Sequence, residues 1–196
     1  MTRRALIGCE FSGVVREAFA AQGWDAWSCD ILPTEHPGQH LQCDVRDVLN
    51  DGWDIAVFHP PCTYLCNSGV RWLHTDPDRW ELLIEAAAFF RELLNAPIPA
   101  IAIENPVMHR YARRLVGMNH TQTFQPWQFG HGECKRTCLW LKNLPALKPT
   151  DVVEGREQRI WKMPPSADRA QERSRTFTGI ASAMAVQFTA ALEHTS

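Results

Sequence analysis

Several features that would restrict the function are missing from this chain of 196 residues. No run of about 18 apolar residues occurs, so the sequence predicts no membrane span. The apolar stretch behind the basic N-terminus, residues 5–8, is too short for the core of a signal peptide, and we expect a cytoplasmic protein. Charged residues make up 21% of the chain, with both signs mixed, which excludes a disordered polyelectrolyte.

Disulfide-rich and strongly basic classes are also excluded. The seven cysteines are odd in number and scattered, so we expect reduced thiols, of which one is free to act as a nucleophile. The net charge of −2 does not indicate a nucleic-acid partner. Acidic side chains exceed basic ones in residues 1–60, and basic ones exceed acidic ones in residues 130–180, as a polyanion-facing second half would require.

Short apolar runs alternate with helical patterns along the chain. The predicted strands lie at residues 5–8, 26–29, 55–58, 98–103 and 137–141. The predicted helices lie at 14–22, 79–95, 107–115 and 180–193, with Asp76 or Asp78 as the cap of the second. This alternation predicts an α/β fold with a mostly parallel sheet covered on both faces. We expect a single domain over residues 1–196, with a short irregular excursion at residues 142–176.

Ligands of such sheets bind beyond the carboxyl ends of the strands. The residues at those ends are polar, small or reactive: Glu10-Phe11-Ser12-Gly13, Asp30, Asp44, Pro60-Pro61-Cys62 and Glu104-Asn105-Pro106. The dinucleotide fingerprint G-x-G-x-x-G is absent. Gly13 either admits a cofactor closely or merely turns the chain, and Asp30 either binds ribose hydroxyls or is a solvated loop residue. Asp44 is equally compatible with a helix cap.

Cys62 and Glu104 are the sharpest candidates for chemistry. The tandem proline stiffens the strand exit that carries Cys62, although a cysteine there can also be a small buried residue. Glu104 ends another strand and should lie across the same cleft. Because it follows a buried run, we expect its pKa to be raised, so that the carboxyl is protonated near neutral pH.

The order and spacing of these motifs across residues 5–106 resemble those of the DNA cytosine-5 methyltransferases. The matching motifs are Phe11-Ser12-Gly13, Asp30, Asp44, Pro60-Pro61-Cys62 and Glu104-Asn105. Residues 125–130, 136–141 and 173–181 resemble small phage-type members. In amino-group methyltransferases an aromatic residue follows the two prolines, so Cys62 favours methylation of carbon.

The resemblance implies a class I methyltransferase fold, a Rossmann-like doubly wound sheet, and S-adenosyl-L-methionine as the cofactor. It implies that Cys62 adds to carbon 6 of a cytosine in DNA, that Glu104 holds ring nitrogen 3, and that Arg136 contacts the cytosine carbonyl. It also implies a set of cofactor-binding residues. Phe11, Ser12 and Gly13 would line the methionine part, Asp30 the ribose and Asp44 the adenine amino group, with Ile31, Val45 and Pro60 beside them.

Three departures from the family pattern leave the substrate open. Val15 stands where a second glycine is usual, and an arginine pair is reduced to Arg136, with Cys134 at the other position. About 35 residues separate Leu141 from Phe177, too few for a target-recognition domain. Sequence selectivity is therefore weak, read by short loops or supplied by a protein partner, and the substrate can be duplex DNA, a single strand, RNA or a free pyrimidine nucleotide. A non-catalytic DNA-binding or decoy protein on the same scaffold is the third alternative.

Three further patterns have two interpretations each. Four cysteines at positions 62, 66, 134 and 138 could bind zinc, although the spacing is loose and no metal site is expected. The segment 109–114 is either a phosphate contact or a solvated basic helix face. Trp72 and Trp127 either stack on a base or belong to the core.

Overall fold

In the part of the chain that the computed structural model describes, residues 2–164 and 169–193, seven strands form one sheet. The strands are β1 (Arg4–Gly8), β2 (Asp25–Asp30), β3 (His40–Gln42), β4 (Ile55–Phe58), β5 (Ala100–Pro106), β6 (Gln122–Phe124) and β7 (Thr137–Lys142). Their order across the sheet is β3-β2-β1-β4-β5-β7-β6. The five strands from β3 to β5 are parallel, and β7 is antiparallel to both of its neighbours.

Helices cover both faces of the sheet. They are α1 (Val14–Ala20), α2 (Arg79–Leu94), α3 (Arg110–Val116), α4 (Arg159–Lys162), α5 (Arg169–Ser174) and α6 (Thr178–Glu193), with 3-10 helices at Val45–Val48, Asn67–His74 and Pro126–Gln128. The apolar side chains of α1 and α6 enclose one core, which includes Phe19 and Phe188. Those of α2 and α3 enclose the other, where Phe90 packs edge-on against Trp140 with ring centroids 5.0 Å apart.

This strand order is the arrangement of the class I methyltransferases, a Rossmann-like doubly wound sheet, and it confirms the predicted fold class. The chain order reverses between β1 and β4. In sheets of this kind, ligands bind in the crevice beyond the carboxyl ends of the two strands at such a switch point, and we expect the site there. Each of these strands is buried throughout or nearly so, because helices cover both of its faces.

Several element boundaries differ from the sequence prediction. β5 continues through Glu104 and Asn105, because the antiparallel partner β7 extends the pairing past the end of β4. α3 begins at Arg110, where the side chain of His109 accepts a hydrogen bond from the amide of Ala112. Asp78 occupies the N-cap of α2, but neither it nor Asp76 caps the helix through its side chain. The short strand β6 was not predicted, and β3 was implied only by the placement of Asp44 at a strand end.

Between β7 and α6, two of the described residues pair with the segment that precedes β7. Isolated bridges join Phe129 to Asp151 and Glu133 to Glu157, and α4 and α5 follow. None of the helices in residues 2–164 and 169–193 combines the length and the apolarity that crossing a bilayer requires.

Arg16 is the charged side chain that organises the edge of the sheet near β2. Although it lies on α1, it is only 1% exposed. Its guanidinium donates to Ser28 Oγ at 3.0 Å and to the carbonyl oxygens of His36 and Pro37 at 2.9 and 3.1 Å. These bonds hold the loop between β2 and β3 against the start of α1. The group is packed so closely against Gly38 that a Cβ there would lie 2.6 Å from Arg16 Nη2.

Replacing Arg16 should therefore cost more than replacing an ordinary helix residue. In Arg16→Leu the buried acceptors lose their donor, and we expect the free energy of unfolding to fall by about 2–4 kcal/mol. Urea denaturation measures this loss. Glu17→Gln is the matched control, because Glu17 is the exposed partner of Arg16 and exposed ion pairs contribute little. Equal stability of Arg16→Leu and the native protein would contradict the assignment.

Candidate active site

Two hydrogen bonds tie the exit of β4 to β5. Beyond the last paired residues, Phe58 and Ile103, His59 Nδ1 lies 3.0 Å from Glu104 Oε2. One residue further along each strand, Asn105 Nδ2 donates to the carbonyl oxygen of Pro60 at 3.0 Å. The tandem proline that follows the strand is thus held against the buried end of β5.

The loop that carries Cys62 is fastened to the segment after β5. The amides of Leu65 and Cys66 both donate to the Cys62 carbonyl at 3.0 Å, which closes a tight turn. The amide of His109 donates to the Leu65 carbonyl at 3.0 Å, and an antiparallel bridge joins Cys66 to Met108. Because of these bonds, the half-buried Cys62 stays beside the end of β5 that carries Glu104.

Cys62 and Cys66 form a hydrogen-bonded thiol pair. The bond to Cys66 raises the pKa of the Cys62 thiol, and burial and the Glu104 carboxylate raise it further, while Lys135 opposes them. The same bond lowers the pKa of Cys66 to about 5 in spite of burial, and Ser68 Oγ, 2.9 Å from Cys66 Sγ, adds to this effect. The directions of the two shifts favour the charge on Cys66 and the proton on Cys62.

The carboxyl of Glu104 is ionised, which corrects the sequence prediction. Burial does raise its pKa, as expected, but the hydrogen bond from His59 and the charge of Lys135 lower it by more. The net shift is downward. The prediction was wrong because it counted the buried run before Glu104 and had no means of identifying His59 as a partner across the strands.

Lys135 is the cation whose field reaches Cys62 and Glu104. It lowers the pKa of both groups, and its Nζ donates to the Arg173 carbonyl at 2.9 Å. The adjacent Arg136 is exposed, and its charge acts on the Cys138 thiol instead. The catalytic role implied for Arg136 stays a prediction.

The ends of β1, β2 and β3 bring the two predicted aspartates together around Cys9. The Cys9 backbone has a φ of 57°, the left-handed region, and its thiol has a pKa raised to about 12. Burial contributes most to this shift, followed by the negative charges of Asp30 and Asp44. Residues from three neighbouring strand ends thus surround one point of the crevice.

Asp30 and Ile31 present a carboxylate beside an exposed apolar side chain. Burial raises the pKa of Asp30, and one of its oxygens accepts a hydrogen bond from the amide of Leu32 at 2.9 Å. Ile31 is 74% exposed, an unusual position for a large aliphatic residue. This combination suits a ligand that has hydroxyl groups next to a flat apolar surface.

The other predicted cofactor residues have structural roles as well. Asp44 caps the 3-10 helix Val45–Val48 and forms an ion pair with Arg46 at 2.6 Å, which lowers its pKa. Val45 is buried, and Pro60 is buried with its carbonyl bonded to Asn105. The carbonyl oxygen of the half-buried Phe11 accepts a hydrogen bond from the amide of Glu35 at 2.9 Å.

The loop between β1 and α1 is built around a buried carboxylate. Glu10 is 5% exposed, and its Oε1 accepts the hydroxyl of Ser12 at 2.5 Å. Gly13 has a φ of 76°, and a Cβ there would meet Arg16 Nη2 at 2.8 Å. Both the backbone conformation and the crowding therefore require glycine at this position.

Three buried polar atoms at this edge of the sheet have no hydrogen-bond partner among the described residues. They are Glu10 Oε2, His59 Nε2 and Asn105 Oδ1, which follow or lie in the adjacent strands β1, β4 and β5. Buried polar atoms are nearly always paired, so such a concentration is typical of a ligand site.

Sequence reasoning missed His59 and Lys135, which no local pattern indicates. It named Glu10 only within the strand-end run 10–13 and Cys66 only as a candidate zinc ligand, and gave neither of them a part in catalysis or cofactor binding. The zinc interpretation of the four cysteines receives no support in the described residues, where no metal-binding group of three or more His, Cys, Asp or Glu occurs. Cys138 lies in β7, with Sγ 3.7 Å from Thr123 Oγ1.

The chain matches no protein-family model and no curated protein. Among solved structures it is similar to a protein from E. coli described as a DNA modification methyltransferase encoded within a prophage, with 15% identity and a TM-score of 0.49 over 84% of this chain. It is also similar to the Dnmt2 methyltransferase of S. pombe, with 14% identity and a TM-score of 0.41 over 82% of this chain. The chain spans 56% and 53% of those two proteins, and we base the fold assignment on the strand order alone.

Because Glu104 is ionised, we expect Glu104→Gln to change the free energy of unfolding in opposite directions when His59 is present and when it is absent. With His59 present, Glu104→Gln should be less stable than the native protein, because it loses a charge-assisted hydrogen bond. In His59→Ala the carboxylate is buried with no donor from β4, so adding Glu104→Gln should instead stabilise that variant by about 1–3 kcal/mol at pH 8.

The pH dependence follows from the same charge. A depressed carboxyl pKa stabilises the native fold above the pKa of the unfolded chain, and this contribution is lost as the pH falls through the folded value. In His59→Ala, burial raises the Glu104 pKa, so the advantage of Gln should shrink between pH 8 and pH 5. Urea denaturation of the four proteins at both pH values measures it, and a gap of one sign in both backgrounds would contradict the assignment.

Proposed function

We propose that this chain is an S-adenosyl-L-methionine-dependent methyltransferase that acts on carbon 5 of a cytosine in DNA. The observation that carries the proposal is the placement of Cys62 within the field of Glu104, on strand exits that His59 and Asn105 tie together. A thiol and a carboxylate on one crevice are the two groups needed to activate a pyrimidine ring from both sides.

Cytosine carbon 5 is a poor nucleophile until a thiolate has added to carbon 6. The Cys62 proton moves to the charged Cys66, to which Cys62 is hydrogen bonded, and the Cys62 sulfur forms a bond to carbon 6. The electron pair of the ring double bond then becomes available at carbon 5. Cys66 acts as the base of this step, which explains why the nucleophile itself can be protonated at rest.

Glu104 and His59 handle charge on the opposite side of the ring. As the thiolate adds, ring nitrogen 3 takes a proton from water, and the ionised Glu104 accepts a hydrogen bond from the N–H that results; the proton returns to water when the ring double bond is restored. His59, with Nδ1 3.0 Å from Glu104 Oε2, donates to the other side of the carboxylate and orients it. Lys135 keeps the carboxyl in the charged form that accepts a hydrogen bond.

The residues at the ends of β1 and β2 fit the cofactor. The unpartnered buried oxygen of Glu10 suits the ammonium group of its methionine part, and the half-buried Asp30 suits the ribose hydroxyls. Ile31 offers an exposed apolar side chain for the adenine ring. When bound, the cofactor supplies an electrophilic methyl group to carbon 5. Loss of the carbon-5 proton to water then restores the ring double bond and expels Cys62 with its bonding electron pair.

Cys62→Ser should abolish methyl transfer and leave cofactor affinity unchanged. The hydroxyl is a much weaker nucleophile than the thiolate, so we expect transfer to fall by at least about 1,000-fold. Transfer from radiolabelled cofactor to DNA and calorimetric titration with the cofactor measure the two properties. DNA that contains 5-fluorocytosine should trap a covalent adduct on the native protein, which peptide mapping assigns to Cys62.

The Cys66→Ser variant distinguishes the nucleophile from the base in the thiol pair. This variant should still form the adduct on Cys62, but without its base the nucleophile must lose its proton to water. The rate of adduct formation should then rise with pH between 7 and 9.5, whereas the native protein should be nearly flat there, because Cys66 has a pKa of about 5. An adduct that maps to Cys66, or full transfer by Cys62→Ser, would refute the proposed mechanism.

Glu10→Gln tests the cofactor assignment without measuring turnover. The neutral amide keeps the shape of Glu10 but loses the charge that faces the ammonium group. We expect affinity for S-adenosylmethionine to fall about 10- to 100-fold, as for a charge-assisted hydrogen bond of about 1.5–3 kcal/mol. Affinity for methylthioadenosine, which lacks the amino-acid part, should not change. An equal loss for both ligands in calorimetric titration would mean that Glu10 only maintains the loop.

A further inference from the structure

Tryptophans and arginines cluster on the surface next to the Cys62 loop. Trp72 and Trp80 are 46% and 36% exposed, a high fraction for the largest apolar side chain. Arg71 lies over the Trp72 ring at 4.5 Å, and Arg110 lies over the Tyr111 ring at the same distance. We call this set the aromatic–arginine surface; its members are Arg71, Trp72, Arg79, Trp80, Arg110 and Tyr111.

The aromatic–arginine surface is continuous with the loop of the proposed nucleophile. Arg79, at the start of α2, donates to the Thr63 carbonyl at 3.2 Å and lies over the Tyr64 ring at 5.0 Å. The next residue, Trp80, packs edge-on against Tyr111 of α3 with centroids 5.1 Å apart. Arg79 therefore joins the aromatic–arginine surface to Thr63 and Tyr64, the two residues that follow Cys62.

The arginines keep their charge available for an anion. In the described part of the chain, none of Arg71, Arg79 and Arg110 forms an ion pair with a carboxylate. Arg113 and Arg114 of α3 are exposed and add to the positive charge, while Asp76, Asp78 and Glu81 near the start of α2 offset part of it. The surface is thus moderately basic and unusually aromatic.

We propose that the aromatic–arginine surface binds a single-stranded segment of DNA, whose unpaired bases stack on Trp72 and Trp80 and whose phosphates contact the arginines. This inference rests on the proposed function, because it concerns the strand that carries the target cytosine. Proteins that bind single-stranded nucleic acids combine exposed aromatic rings, on which bases stack, with cationic side chains that contact the phosphates. A paired duplex keeps its base faces stacked on each other and offers phosphates, sugars and the base edges in its grooves, none of which is recognised by stacking on a tryptophan ring.

The same inference accounts for the short segment between β7 and α6. A base in a duplex must be unpaired and swung out before a thiol can reach it, which costs a few kcal/mol. A strand that is already unpaired avoids this cost. The proposed surface holds bases without regard to their identity, so it requires no separate recognition domain.

Fluorescence anisotropy with a labelled cytosine-containing oligonucleotide tests the proposal on the full chain. We expect the single strand to bind at least about tenfold more tightly than its duplex. Trp72→Ala and Trp80→Ala should each weaken single-strand binding about 5- to 100-fold, in line with about 1–3 kcal/mol for one stacked base. Trp72→Phe and Trp80→Phe should restore most of the affinity, because a ring remains to stack on.

An oligonucleotide with abasic sites around the cytosine separates stacking from charge. The affinity of the native protein for this abasic strand should equal that of the tryptophan variants for the normal strand. On the abasic strand, the tryptophan variants and the native protein should have the same affinity. Arg71→Ala should weaken binding to both strands and reduce its salt dependence. Val186→Ala and Lys148→Ala, exposed positions on α6 and after β7, are the matched controls.

Three outcomes overturn the proposal: equal affinity for single strand and duplex, equal losses on normal and abasic strands, or full affinity of both tryptophan variants. Thermal unfolding of each variant checks that the fold is retained. A native protein that binds the single strand as expected but transfers no methyl group would refute the proposed function and leave the surface assignment intact.

Discussion

The negative charge of Glu104 is the constraint on which the rest of the site depends. The carboxylate at the buried end of β5 keeps its charge because His59 donates a hydrogen bond to it and the positive charge of Lys135 attracts it. Each of these partners comes from a different part of the chain. The β4 exit and the approach to β7 must therefore both be in place before the charge is stable, and the β4 exit also leads directly into the loop of Cys62.

At the ends of β1 and β2 the buried charge that organises the backbone is positive. Arg16 is buried, and its charge is satisfied by loop carbonyls and hydroxyls, which fixes the backbone around Asp30 and Ile31. Glu10 is the buried charge that remains partly unsatisfied. A fold with a few kcal/mol of net stability keeps such a group at a cost, and binding of a cationic ligand would offset that cost.

Local patterns predicted the fold and the strand ends, because buried runs and the Pro60-Pro61 pair are encoded within a few residues. They could not predict His59 as the partner of Glu104, since the two lie 45 residues apart and meet only through the β4–β5 register. The pKa of Glu104 was predicted with the wrong sign for that reason. The resemblance to a family implied a role for Arg136, whereas the charge that lowers the pKa of Cys62 and Glu104 belongs to Lys135. The two residues are adjacent in the chain, so only the directions of their side chains distinguish them.

The thiol pair and the aromatic–arginine surface place the same demand on the Cys62 loop. That loop must hold Cys62 against Glu104, keep Cys66 within hydrogen-bonding distance, and still reach α2 through Arg79. Backbone bonds to the segment after β5 supply the rigidity, so the loop does not have to order itself when a ligand arrives. Preorganisation of this kind reduces the entropy lost on binding. Under the proposed function, a strand lying across Trp72 and Trp80 would then meet the Cys62 thiol in a position that is already set, as a small catalyst with little surface for recognition would require.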